Sequence, residues 1–479
     1  MNTAFMEKHT QVLLLVATGV FMSTLDSSML NVALPSIMKN FSASLALTEW
    51  VVLIYLLTIT IMLLVWGNLT KKYGQEKIYT TGALIFSIGS FLCFLGSGIY
   101  LLIFFRFIQA LGASMMMAVG PALIKSVFPQ EKLGRGLGMI GIATSLGLMS
   151  GPALSGILIR WANWRLIFLV TVPIGLLVYF FGKQTCQPRN TTSPDAQIIK
   201  HPFDSLGALL WACAISMTLI MTTHATAICC SSKADSTLFI GGICLTLVLW
   251  FVFALNELRQ PYPLLPVKLF RRRFFFMAML SGMLSFSVLF FVLLLTPFYL
   301  RAVKRLSADQ TGYVMMALPL CVFFVSPIAG RLHDRIGAKI VATTGLGICL
   351  VGLLLLTSIS AVTPPLQVAA LLAVLGFGQA MFLSPNSAAA LAGVNHQQAG
   401  VTSSLLATAR NLGMLTGTAL AGLLFTLTFS GLTGGLDMKD FQPEYTAQFI
   451  VSLHKSFQAA AVIAAVGVAA SWWRGKTPA

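Results

Sequence analysis

The chain has 479 residues, of which 57% are hydrophobic and 9% charged, against about 25% charged residues in soluble proteins. With a mean hydropathy of +0.86 and about 34 residues for a span plus its loop, it accommodates roughly fourteen membrane crossings and no soluble domain of useful size. The net charge of +17 then has no folded aqueous face to occupy, which excludes a nucleic-acid-binding protein.

In chain order, apolar runs bounded by charges or by Pro and Gly predict spans over 12–34, 50–66, 79–97, 101–124, 137–159, 166–182 and 206–227. They continue over 238–256, 275–299, 312–329, 341–360, 366–391, 400–428 and 450–472. Runs this long and uniformly apolar satisfy their backbone polar groups as helices, not as alternating barrel strands, so the expected fold is an all-α integral membrane protein. The first run is too long for a signal peptide and lacks a small-residue cleavage pattern; it is expected to stay as span 1. The stretch from Ser430 to Gln448 is polar enough to project outside. The eight cysteines lie mostly inside apolar runs without CxxC spacing and read as small hydrophobes.

Basic residues sort by loop parity. Twenty of the 31 Lys and Arg fall on the side of the termini, eight on the other, and Arg106, Arg410 and Lys455 within spans. The positive-inside rule then puts both termini in the cytoplasm, and the membrane is expected to be a bacterial inner one.

An internal repeat groups the spans. Gly67 to Gly74 after span 2 matches Gly330 to Gly337 after span 10 at an offset of 263. Gly147, Gly151, Leu154 and Gly156 of span 5 fall on Gly413, Gly417, Leu420 and Gly422 of span 13 at 266, and Phe41-Ser42-Ala43 on Leu306-Ser307-Ala308 at 265. Near-equal offsets make spans 1–6 and 9–14 parallel copies, the kind of duplication that builds two bundles around a midplane site. The expected domains are 1–183 for the first bundle, 184–267 for a linker with inserted spans 7 and 8, and 268–479 for the second bundle.

Asp26 reads as the only acid deep in a span, the other thirteen lying in loops or at span ends. A carboxylate near the bilayer centre costs about 2.5–3.5 kcal/mol on insertion scales and is a functional candidate by default. It is expected to face the cavity and exchange a proton there. Arg106 in span 4 keeps its charge and needs a partner, with Asp26 and Gln109 in reach. Pairing favours the carboxylate and burial the neutral acid, so a rearrangement that separates Asp26 from Arg106 would bind or release the proton. Arg410 is a second deep cation, without a counterpart in the first copy.

These residues carry a resemblance. Leu25-Asp26-Ser27-Ser28-Met29-Leu30-Asn31-Val32-Ala33-Leu34-Pro35, Trp50 and Tyr55, the Gly67 loop, Arg106 to Gly112, Gly147 through Gly151-Pro152 to Gly156, and Trp164-Arg165-Leu166-Ile167-Phe168 together resemble the major facilitator superfamily. Within it, the chain is similar to the fourteen-helix drug:proton antiporters, over nearly its whole length. The resemblance implies alternating access, a role for Arg106 in proton transfer, and export over uptake from the span 5 pattern. It makes Gly67, Lys71, Gly74, Gly147, Gly151, Pro152, Gly156, Trp164, Arg165, Gly330, Asp334, Arg335 and Gly337 gating or motif positions. One departure stands out. The first Gly loop carries Lys71 where the family has Asp, whereas the second keeps Asp334.

The expected function is proton-coupled efflux of lipophilic, neutral or monocationic compounds. Asp26 and Arg106 are the coupling pair, and Met22, Met29, Tyr55, Gln109, Met116, Phe377, Phe382, Asn386 and Arg410 the candidate cargo contacts. Rival readings are an exporter of an anionic or zwitterionic metabolite and a non-transporting membrane sensor. No phosphate loop, metal-ligand cluster or catalytic constellation is written in the sequence, so no cofactor, no metal and no enzyme activity are expected. The partners are then protons, a small-molecule cargo and the lipid bilayer, around a monomer.

Overall fold

A computed structural model describes residues 2–128, 130–185, 204–228, 233–261, 263–265, 270–392 and 399–475. It contains fourteen helices long and apolar enough to cross a membrane, and no strand among the described residues. The first six are α1 (Asn2–Phe41), α2 (Leu45–Tyr73), α3 (Gln75–Leu95), α4 (Ile99–Val127), α5 (Gln130–Trp161) and α6 (Leu166–Thr185). Then come α7 (Ser205–Ile228) and α8 (Lys233–Arg259). The last six are α9 (Arg273–Phe298, extended by one π turn over Tyr299–Val303), α10 (Ala308–Ile336), α11 (Ala338–Leu356), α12 (Pro365–Ala392), α13 (Ala399–Thr433) and α14 (Thr446–Trp472).

The helices outrun the apolar runs because capping residues, not hydropathy, set their starts. Ser44 caps α2 by accepting from the Leu47 amide at 3.1 Å. Ser307 and Gln310 form a capping box at α10. The structural counterpart of Ser307 is therefore Ser44, at the same offset of 263 as the Gly loops, and not Ser42. Both Gly loops end alike. Gly74 and Gly337 take φ of 81° and 85°, which breaks the chain between α2 and α3 and between α10 and α11.

The packing repeats with the sequence. In the first bundle α1 packs on α5 and α6, α4 on α2 and α3, and α3 on α6. In the second, α9 packs on α13 and α14, α12 on α10 and α11, and α11 on α14. The bundles meet along two related seams, α5 against α10 and α2 against α13. In the inserted pair, α7 packs on α8 and leans on α2 and α13, where the Trp211 indole donates to the Thr60 carbonyl at 3.4 Å.

Both seams are tight near the ends that carry the α1–α2, α5–α6, α9–α10 and α13–α14 connections. At the first, the Arg160 guanidinium pairs with Asp309 at 2.6 Å. A Cβ on Gly156 would lie 2.6 Å from the Ala308 carbonyl oxygen, and one on Gly312 would strike the Pro152 carbonyl. At the second, a Cβ on Gly422 would strike the Glu49 carboxyl group, and the Leu45 amide donates to Asp437 at 3.4 Å. The segment expected to project is instead partly folded down: α13 runs on to Thr433, Met438 is buried, and Phe441 packs on Phe429 and Phe449.

Candidate functional site: a buried acid tied to an arginine

Asp26 lies near the middle of α1 and is 2% exposed. It is turned into the first bundle and sealed from open space, not presented to a cavity. One carboxylate oxygen accepts from Arg106 Nη1 at 2.7 Å, the other from Gln109 Nε2 at 2.8 Å. Arg106 and Gln109 stand one turn apart on α4, the spacing that puts both on one helix face.

Arg106 is spent on three helices at once. Its Nη1 also donates to Gln109 Oε1 at 2.5 Å, and its Nε to the Val51 carbonyl of α2 at 3.2 Å. The guanidinium carbon sits 4.1 Å from the centre of the Tyr55 ring, a cation–π contact that adds to its hold in a dry interior. Gln109 donates onward to Ser90 of α3 at 2.7 Å, and Ser90 accepts from Thr171 of α6 at 3.1 Å. The network around the Asp26 carboxylate thus ties α1 to α2, α3, α4 and α6, every other helix of the first bundle except α5.

The sequence reading anticipated Asp26, Arg106 and Gln109 as one cluster, whereas Tyr55, expected as a cargo contact, is found stacked on Arg106. That reading did not anticipate Ser90, Thr171 or the Val51 carbonyl: small hydroxyls and backbone atoms leave no mark in an apolar run. Among the cargo candidates, Met22, Met29 and Met116 are buried inside the first bundle. Met22 lies against α6 at Gly175 and Met116 against α1 at Gly19. Phe382 is buried with Ala342 and Leu346 between α11 and α12, and Phe377 is exposed.

Asn386 and Arg410 do come together, in the second bundle. Asn386 donates to the Ala278 carbonyl of α9 at 3.1 Å, and Arg410 donates to Ser387 at 2.6 Å while standing 5.7 Å over the Phe286 ring. Two turns earlier on α12, buried Gln379 accepts from Ser285 of α9 at 2.8 Å. Gln379 Nε2 and Asn386 Oδ1 have no hydrogen-bond partner. This polar strip across α9, α12 and α13 is the second bundle's answer to the Asp26 cluster, without an acid, and the sequence reading missed Gln379.

The motif positions divide by what they touch. A Cβ on Gly147 or Gly151 would strike Thr24 or Ser28 of α1, so these two fix α5 inside its own bundle. Ser28 donates to the Leu148 carbonyl at 2.9 Å and Ser155 to the Met29 carbonyl at 2.8 Å along the same contact. Gly156 and Pro152 face α10 across the seam. Trp164 and Arg165 stay within the first bundle: Trp164 is buried against Phe41 and Phe168, and Arg165 lies over Trp164 and donates to the Gly96 carbonyl at 3.2 Å. Gly67, Gly74 and Gly337 face open space, and Gly330 is near Ser384. Asp334 and Arg335 are exposed and belong to neither ion pair seen among the described residues. The Lys71 side chain lies outside what is described.

Asp26 is not alone, because α2, α8 and α10 extend past their apolar runs and enclose Glu49, Glu257 and Asp309, each 5% exposed or less. Glu257 accepts from the Leu265 amide at 2.9 Å and Asp309 pairs with Arg160.

Comparisons with known proteins agree with this architecture. The chain is 32% identical over 463 residues to the riboflavin transporter RibZ of Clostridioides difficile, covering 97% of both chains. It is 30% identical to the multidrug resistance protein Stp of Mycobacterium tuberculosis, over 86% of this chain and 76% of that one. The crystal structure of a bacterial homologue of the human lysosomal transporter Spinster, inward-facing and unoccupied, superposes with a TM-score of 0.68 at 15% identity, covering 98% of this chain and 97% of that one. The sequence model of the Major Facilitator Superfamily matches residues 16–418. With twin six-helix bundles, an inserted helix pair and this match across most of its length, the chain belongs to the Major Facilitator Superfamily and is a multi-pass membrane transporter of small molecules.

Proposed function

We propose that the protein is an exchanger that exports lipophilic, neutral or monocationic compounds against protons, with Asp26 as the proton carrier and Arg106 as its switchable partner. The observation that carries this reading is the Asp26 carboxylate held by Arg106 at 2.7 Å and Gln109 at 2.8 Å. Protonation would cancel the charge that holds Arg106 and release a tie among α1, α2 and α4, so proton binding and helix rearrangement become one event. The multidrug names of relatives such as Stp support the cargo class.

The loop charge bias places the tight ends of the seams outside. The described form is then closed to the outside, with both termini in the cytoplasm of a bacterial cell and one chain sufficient for transport. Alkaline phosphatase fusions at successive loops check that orientation.

One observation favours a second reading. RibZ is named a riboflavin transporter, and the strip of Gln379, Asn386 and Arg410 offers hydrogen bonds suited to a polar heteroaromatic metabolite. Reconstituted vesicles separate the two: lipophilic cations competing with efflux support the first, and competition by flavin-like or anionic metabolites alone supports the second. Asp26→Asn is expected to abolish efflux driven by a pH gradient while expression is kept. Unaltered gradient-driven efflux in that variant would reject Asp26 as the carrier.

A further inference from the structure

The two seams are related by the repeat, yet their chemistry differs. At the α5–α10 seam, Arg160 answers Asp309, and Gly312 lets the backbones touch. Under the offsets of 266 for α5 onto α13 and 263 for α2 onto α10, Arg160 corresponds to Thr426, Asp309 to Ala46, and Gly312 to Glu49. The α2–α13 seam therefore carries an acid at a place where its twin carries a glycine, and a threonine where its twin carries the cation.

Glu49 is 3% exposed, and its Oε1 has no hydrogen-bond partner. The Thr426 hydroxyl is also unpartnered. Both line a cavity of about 10 Å³ with Ala46, Thr223, Ala419, Gly422 and Leu423, room for about one water. The charged groups around it offer no relief. From the α13–α14 connection the group that bears on Glu49 is Asp437, another acid. Lys439 and Asp440 beyond it, Lys39 at the end of α1 and His224 on α7 are exposed, and Arg410 stands three turns farther along α13. An ionised carboxylate enclosed without a cation or a full set of donors is strongly disfavoured, whereas the neutral acid fits.

We propose that Glu49 is a second proton-binding site: its carboxyl group is neutral while the α2–α13 seam is closed and ionises when the bundles part and water reaches it. Glu49 stands on the first bundle and Gly422 and Thr426 on the second, so the proton is bound at the moving boundary itself. No covalent step is involved; the proton passes between the carboxyl oxygen and water. Alkali then favours the parted seam and acid the closed one. This inference takes the alternating motion from the proposed function, but it does not need Asp26 to be the carrier.

The test is a distance between spin labels at Trp161 and Leu432, both exposed and on opposite bundles at the seam ends, in a background without the eight cysteines. In the otherwise unaltered protein, the closed-to-parted ratio is expected to fall as pH rises between about 5 and 8, by up to about tenfold per pH unit, the limit for one linked proton. With Asp26→Asn also in place, so that the proposed carrier contributes no proton linkage, Glu49→Gln is expected to stay closed with less than about a twofold change across that range, and Glu49→Asp to keep the response. An infrared carboxylic-acid band present in the closed form and lost in Glu49→Gln reads the same group without relying on motion. A pH response undiminished in Glu49→Gln, or an unchanged infrared band, overturns the inference. Asp26→Asn separates the two claims: loss of gradient-driven efflux with the distance response intact upholds both, whereas efflux that survives Asp26→Asn rejects only the carrier assignment.

Discussion

Arg106 illustrates how much one buried side chain can coordinate. It bonds Asp26, Gln109 and the Val51 carbonyl while stacking on Tyr55, a pattern that the planar fork of a guanidinium meets and an ammonium group does not. Arg106→Lys is expected to lower efflux at least tenfold and to weaken the fold by about 1.5–3 kcal/mol, the worth of one charge-assisted hydrogen bond. Thermal unfolding in detergent and vesicle flux check the two numbers separately. Arg106→Met is expected to be worse for stability, by about 3–5 kcal/mol, because it leaves Asp26 buried without its cation. The pairing of Asp26 with Arg106 was legible in the sequence, since two lone charges deep in apolar runs need each other. The seal around them was not, because nothing in an apolar run says which flank faces lipid and which faces protein when both are equally hydrophobic.

Helix ends were the least legible feature at the level of elements, and they hide the most chemistry. Hydropathy starts span 2 at 50, whereas Ser44 starts α2 at Leu45 and draws Glu49 inside the protein. The same shift at α10, through Ser307 and Gln310, encloses Asp309. The Gly positions of α5 were read as a set, yet they serve two jobs: Gly147 and Gly151 inside a bundle, Gly156 between bundles. Gly156→Val is therefore expected to wedge α5 from α10 and lengthen the spin-label distance at every pH, whereas Gly147→Val is expected to destabilise the first bundle and lower expression. Arg160→Ala is expected to shift the closed-to-parted ratio by less than about fivefold, because a pair whose arginine is 61% exposed is well screened. The same distance measurement reads it.

On the scale of the whole molecule, the repeat was the strongest sequence signal, and the packing of α1–α6 recurs in α9–α14 helix for helix. If the bundles rock as two bodies, fastening them at one end must stop transport. Cysteines at Leu45 and Asp437, on opposite bundles and joined by a 3.4 Å hydrogen bond, are expected to be captured by a short cleavable crosslinker that abolishes efflux. Cleavage of the linker is expected to restore it, and full efflux while the link is intact would exclude this motion. What the sequence withheld at this scale was the placement of the inserted pair. Its apolar faces fit any position around the bundles, and contact with α2 and α13 is a property of the folded surfaces.

That placement makes the flanks of the transporter unequal. α7, backed by α8, lies against α2 and α13, whereas no inserted helix packs against α5 or α10 among the described residues. The two seams thus have different outer walls: a further helix backs one, whereas the other is bordered by its own two bundles alone.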